Sequence, residues 1–138
     1  MEKENVLVVD DSPASRARTV EILQRAGYGV FELPSTIGAT RSIVRNAVSA
    51  AVVDLSASAA CSDKLVAALR STSRLCEVVL LLIGPTSGGE RERLERTPGV
   101  DAVLGPGELA ESLLQTLQLA LLMRRLGRSL ELIPDVNA

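Results

Sequence analysis

The chain contains no histidine. That absence rules out a Ser-His-Asp triad, a Cys-His pair and any zinc site ligated through imidazole. It also contains no tryptophan, and Tyr28 and Phe31 are its only aromatic residues. A surface on which nucleobases stack needs more rings than that. Two cysteines, Cys61 and Cys76, suit a reduced cytoplasmic protein better than a disulfide framework. No apolar run approaches the roughly 18 residues needed to cross a bilayer. Glu2, Lys3 and Glu4 at the start do not read as a signal peptide. A net charge of −2 with no basic stripe gives no electrostatic case for nucleic acid. Lysine is scarce as well, with Lys3 and Lys64 the only two.

What is present centres on Asn5-Val6-Leu7-Val8-Val9-Asp10-Asp11-Ser12-Pro13. Four apolar β-formers run directly into two carboxylates, as in a strand buried on both faces of a parallel sheet. Ser12 suits an N-cap, and Pro13 suits the first helical turn, where a missing N–H costs nothing. Two acids at the carboxyl end of a central strand lie where open α/β sheets place their ligands. Such a pair needs a cation or water to offset its charge, and oxygen-only ligation suits Mg²⁺. The plainer alternative is a solvated turn beside a helix start.

At 138 residues the chain is one domain with room for a real core. After the first strand, Pro13 to Ala26 carries Ala17, Val20, Ile22 and Leu23 at helical spacing, closed by Gly27. Tyr28 to Leu33 reads as a strand. Ser35 or Thr36 caps a second helix with Ile37, Val44, Ala47 and Val48 on its stripe. Ala50 to Val53 is a third strand leading into Asp54, followed by a loop from Leu55 to Cys61 and a helix over Asp63 to Arg70. Val78 to Ile83 is a fourth strand, Gly84 to Gly89 a loop, and Glu90 to Arg96 a short charged helix. Val100 to Leu104 is a fifth strand, broken by Gly105-Pro106-Gly107. Glu108 to about Leu126 forms a last helix with Leu109, Leu113, Leu114, Leu117, Leu121 and Leu122 on its apolar face. Five β-α units in succession predict a doubly wound (βα)5 α/β fold: a parallel sheet with right-handed crossovers and helices on both faces.

In this order of elements the chain resembles the receiver domain of bacterial two-component response regulators, a flavodoxin-like fold. The resemblance spans Asn5 to Leu122. It rests on Val6-Leu7-Val8-Val9-Asp10-Asp11-Ser12 and on Ala51-Val52-Val53-Asp54-Leu55. It implies a strand order of 2-1-3-4-5, which sets the ends of strands 1 and 3 side by side. It further implies that Asp54 is the phospho-acceptor and that Asp10, Asp11 and Asp54 converge to hold a weakly bound Mg²⁺. A carboxylate attacks a phosphoryl group only if a metal offsets the repulsion between the anions. The receiver-like domain is expected over residues 1–122, with 123–138 an extension of the last helix and a tail or linker.

The other half of the receiver pattern is missing. The hydroxyl-bearing position at the end of the fourth strand falls on Ile83, and the aromatic position in the fifth on Val103. Leu104-Gly105-Pro106-Gly107 stands where the family has its Lys-Pro, so Pro106 marks the lost lysine site. Thr86 and Ser87 could substitute for the hydroxyl only if their loop folds back. A lysine on a phosphoryl oxygen gives about 1.5–3 kcal/mol, and the hydroxyl about 0.5–1.5 kcal/mol. Turning a two-state switch from 1:99 to 99:1 takes about 5.5 kcal/mol. Without those contacts a phosphorylated Asp54 has little leverage.

The resemblance therefore implies a non-enzymatic signalling domain, a pseudo-receiver that acts through protein–protein contact. Two other readings stand beside it. One is an atypical working receiver phosphorylated on Asp54 with Mg²⁺. The other is a flavodoxin-like enzyme or small-ligand domain, against which stand the missing histidine and the lack of a Gly-rich phosphate loop after the first strand. The implied partner is a protein, a histidine kinase or a downstream signalling protein. Helix 4, strand 5 and helix 5 are the expected surface for a homodimer.

Overall fold

The computed structural model describes residues 4–54, 59–72, 75–84 and 89–131, without the side chains of 59–62 and 128–131. Its sheet is built from β1 (Asn5–Val9), β2 (Gly29–Leu33), β3 (Val48–Asp54), β4 (Val79–Ile83) and β5 (Ala102–Leu104). All neighbours pair in parallel, in the order β2-β1-β3-β4-β5. The expected order and fold class are what the structure has. Composition explains the order. The largely apolar, buried runs Val6–Val9 of β1, Ala50–Val53 of β3 and Val79–Ile83 of β4 fill the three inner places, where both faces are covered. Gly29-Val30-Phe31-Glu32-Leu33 is only half-buried and takes one edge, and the three-residue β5 takes the other.

Alternation along the strands divides the core. Leu7, Val9, Ala51, Val53, Leu80 and Leu82 face one layer of helices, α2 (Ala39–Arg45), α3 (Ala59–Ser71) and α4 (Gly89–Arg96). Val6, Val8, Val52, Leu81 and Ile83 face the other, α1 (Pro13–Arg25) and α5 (Leu109–Glu131). Ser12 caps α1 by accepting from the Ser15 N–H at 3.4 Å, with Pro13 in the first turn. The turn into β5 is Thr97-Pro98-Gly99-Val100, closed by the Val100 N–H on the Thr97 carbonyl at 3.2 Å. Gly99 there has φ of 95°, and a Cβ would lie 2.7 Å from the Arg70 side chain, so only glycine fits.

Several elements differ from the sequence expectation. The second helix begins after Gly38 (φ 82°), not at a Ser35 or Thr36 cap. Its buried residues are Ala39 and Ile43, while Ile37 is 84% exposed and Val44 half exposed. Val48 belongs to β3, which starts two residues earlier than Ala50, after a turn at Ala47 with φ of 48°. In α1 the buried face includes Thr19 in place of the exposed Ala17, and the Thr19 hydroxyl donates to the Ser15 carbonyl at 3.2 Å. Helix α3 begins at Ala59, inside the expected loop, whose residues 55–58 lie outside the described residues. A 3₁₀ turn, Pro106–Glu108, precedes α5, which runs on past Leu126 to Glu131. Leu122, expected on the core face, is half exposed.

Candidate functional site

Asp10 directly follows β1 and is 2% exposed. Its backbone N–H extends the ladder to the Leu33 carbonyl at 3.1 Å. One carboxylate oxygen, Oδ1, accepts from the Ser12 N–H at 2.9 Å, a turn that aims the chain into α1. The other, Oδ2, is buried without a hydrogen-bond partner. A buried carboxylate oxygen left in that state is costly and calls for a cation or a water. Asp11 beside it is exposed.

Asp54 ends β3 and is half-buried, opposite Ile83 in register. Val9 and Val53 are paired, so Asp10 and Asp54 each stand one residue beyond the same rung on neighbouring strands. Parallel neighbours lie about 4.8 Å apart. Among the described residues no group of three acidic side chains is close enough to hold a metal ion as it stands. The donor chemistry nonetheless fits a hard cation. All three side chains offer only oxygen, and the Asp10 oxygen has no other ligand.

Arg16, which the sequence did not single out, closes one side of this region. Its guanidinium donates to the Asp10 carbonyl at 2.7 Å and pairs with Glu32 at 3.1 Å. It thereby joins the first turn of α1 to the ends of β1 and β2.

The ends of β4 and β5 are different. Ile83 is 2% exposed and packs into the core layer under α5. Val103 is buried in the opposite layer. Pro106 is exposed and opens the 3₁₀ turn. Thr86 and Ser87, the substitute hydroxyls, lie outside the described residues.

A second arginine dominates this side. Arg91 of α4 donates to Glu95 at 2.9 Å, to Glu108 at 2.9 Å and to the Val103 carbonyl at 3.1 Å. One side chain thus bolts α4 to the end of β5 and to the turn leading into α5. The hydrogen bond from Arg91 holds the Glu108 carboxyl below its usual value, against the upward push of burial. Hydrogen bonds to Glu108 and Glu95 raise the Arg91 guanidinium in turn. The i,i+4 pairing of Arg91 with Glu95 is visible in the sequence. The link to Glu108, seventeen residues on, is not.

Neither a family model nor a curated protein matches the sequence. Solved structures do resemble the fold. Chemotaxis protein CheY4 of Vibrio cholerae superposes with a TM-score of 0.76 at 24% identity, over 86% of this chain and 99% of that one. The signal receiver domain of a LuxO repressor protein from Vibrio parahaemolyticus gives 0.78 at 16%, over 94% and 98%. A response regulator receiver domain from Clostridium thermocellum gives 0.76 at 14%, over 89% and 98%. At these identities the likeness establishes the fold: a (βα)5 flavodoxin-like sheet of the kind found in receiver domains. No helix among the described residues is long and apolar enough to cross a membrane.

Proposed function

We propose that the chain is a receiver-like domain of two-component signalling, in a pseudo-receiver form that acts in the cytoplasm through protein–protein contact and not as an enzyme. One contrast carries this reading. The buried, unpartnered Asp10 oxygen keeps the acidic end of β1 fit for a cation, while the phosphate-reading positions are Ile83, Val103 and Pro106. Asp10, Asp11 and Asp54 would hold Mg²⁺, which when bound offsets negative charge brought to the site. A phosphoryl group on Asp54 would find no hydroxyl at Ile83 and no ammonium at Pro106. It would also meet an α4 already fastened through Arg91. Its differential energy over two states is then small, and the switch is weak.

The partner in this reading is a signalling protein, a histidine kinase or a downstream component, that meets the exposed charges of α4. Self-association through the α4, β5 and α5 side belongs to the same proposal. A working receiver is the second reading, favoured by the placement of Asp54 one rung beyond Val53 beside Asp10.

The test compares Asp54→Asn with an Arg93→Glu/Arg125→Glu double variant in the parent organism. The proposal expects Asp54→Asn to keep function and the double variant to lose partner binding, mainly through on-rate and specificity. Loss of function in Asp54→Asn alone, together with Asp54 modified by a small phosphodonor and Mg²⁺, would establish the working receiver instead.

A further inference from the structure

Arg16 stands between two carboxylates of unequal need. Asp10 is 2% exposed, and its Oδ2 has no hydrogen-bond partner. Glu32, near the end of β2, has a half-exposed side chain that water solvates without help. Yet the Arg16 guanidinium takes the needless partner. Its Nε donates to Glu32 at 3.1 Å and its Nη1 to the Asp10 main-chain oxygen at 2.7 Å, and neither bond uses Nη2. A guanidinium that close to a buried carboxylate short of donors ordinarily forks onto it. Helix electrostatics do not explain the placement either. Arg16 lies in the first turn of α1, the positive end of the helix dipole, and no acid accompanies it there.

The planar fork of the guanidinium explains how the arrangement holds. Once the Asp10 carbonyl takes Nη1 and Glu32 takes Nε, the plane is fixed at two points and cannot turn. Without Glu32 the carbonyl contact becomes a pivot. The carboxylate of that same residue then lies within a side-chain rotation of Nη1 and Nη2.

We propose that Glu32 is a positioning residue for the cation site: it holds Arg16 off the Asp10 carboxylate and so keeps Oδ2 open to a hard divalent cation. The inference rests on the reading above that Asp10, Asp11 and Asp54 hold Mg²⁺. It adds that the chain carries its own competitor for the metal. Arg16 and the ion would each satisfy Oδ2, and two cations repel one another there. Whether the site is open is thus decided from β2, by a residue that is not itself one of the proposed ligands.

Mn²⁺, which takes the same oxygen donors as Mg²⁺ and broadens the amides around it, tests this on the full chain through a double-mutant cycle read at residues 10–12. Glu32→Ala should weaken binding about tenfold, the factor expected if about nine molecules in ten turn the guanidinium onto Asp10. Arg16→Gln should bind at least as tightly as the wild type, and adding Glu32→Ala to it should change nothing further. A simple field from the Glu32 charge would instead cost the same factor with or without Arg16. A metal-free crystal structure of Glu32→Ala should show the guanidinium on Asp10 Oδ2. The proposal is overturned if Glu32→Ala binds like the wild type, if it weakens binding equally in the Arg16→Gln background, or if the guanidinium stays on the carbonyl alone. A wild type that shows no broadening at these amides overturns the cation reading itself, and the proposal with it.

Discussion

At the carboxyl edge of the sheet, β1 and β3 end in carboxylates, and β4 and β5 end in hydrocarbon. The first pair leaves a buried Asp10 oxygen without a donor, so that half of the edge is incomplete by itself. The second pair is already complete. Ile83 fills the core under α5, Val103 fills the other layer, and Arg91 fastens α4 across the end of β5 to Glu108. A ligand can stabilise only what it contacts differently in two states. The β1–β3 half has such a contact to offer, and the β4–β5 half has none at Ile83, Val103 or Pro106. The fold and the means of reporting on its ligand are thus separable: one side chain set builds the sheet, and another would have to carry the signal.

The largest expected effect comes from trying to erase that difference at Ile83. Ile83→Thr supplies the missing hydroxyl but removes buried methyl groups and places a polar atom in the core. It should cost about 2–3 kcal/mol in urea unfolding and bring no structural response to a phosphodonor. A variant of undiminished stability that did respond would show that one hydroxyl separates the two halves. The next effect sharpens the comparison from the other side. Tens of mM Mg²⁺ should stabilise the wild type by about 1 kcal/mol, the linkage gain for a weak hard-cation site. Asp10→Asn should abolish that gain. Without Mg²⁺ the variant should be at least as stable as the wild type. Its amide oxygen can still accept from the Ser12 N–H, and no charge is left buried. A flat titration of the wild type would remove the cation from the account.

The sequence carries the sheet well because its information is local there. Unbroken apolar runs mark β1, β3 and β4, and Ser12-Pro13 marks the start of α1. Ile37, Val44 and Val48 fall at helical intervals by accident, and the helix that forms is Ala39–Arg45. The chain between them turns at Ala47 with φ of 48°, where neither glycine nor proline announces the turn. Helix α5 runs through Gly127 as the expected extension of the last helix, because a single exposed glycine costs a helix only about 1 kcal/mol and need not end it. At the site, the acidic residues were legible and the reason for their state was not. That Asp10 Oδ2 lacks a donor depends on how β1, β2 and α1 meet. Arg16, Arg91 and Arg124 find their partners 16, 17 and 23 residues away, and no periodicity reports such a distance.

Removing the bolt is the third way to test the contrast. Arg91→Ala deprives α4 of its ties to Glu108 and to the Val103 carbonyl. Amide exchange across Gly89–Arg96 should quicken, while exchange in β1 and β3 stays unchanged. Equal quickening in both regions would mean that Arg91 supports the whole sheet and that the two halves are not independent.

The smallest effect is electrostatic and concerns Glu108. Its carboxyl is held below the ordinary glutamate value of 4.5, first by the hydrogen bond from Arg91 and then by that cation's field. A group whose value is depressed by folding binds fewer protons when folded than when unfolded. Its contribution is therefore fully present above the unfolded value and is lost as pH falls through the folded one. The window lies below about pH 4.5. Glu108→Gln should accordingly show a shallower loss of stability from pH 5 towards pH 3 than the wild type, with the two curves parallel at neutral pH. Both partners are partly exposed, so molar salt should shrink the difference. Arg91→Ala should flatten the curve in the same way, because it removes the cause of the depression. If Glu108→Gln were instead as steep as the wild type, the ionic fastening of the β4–β5 half would count for nothing in solution.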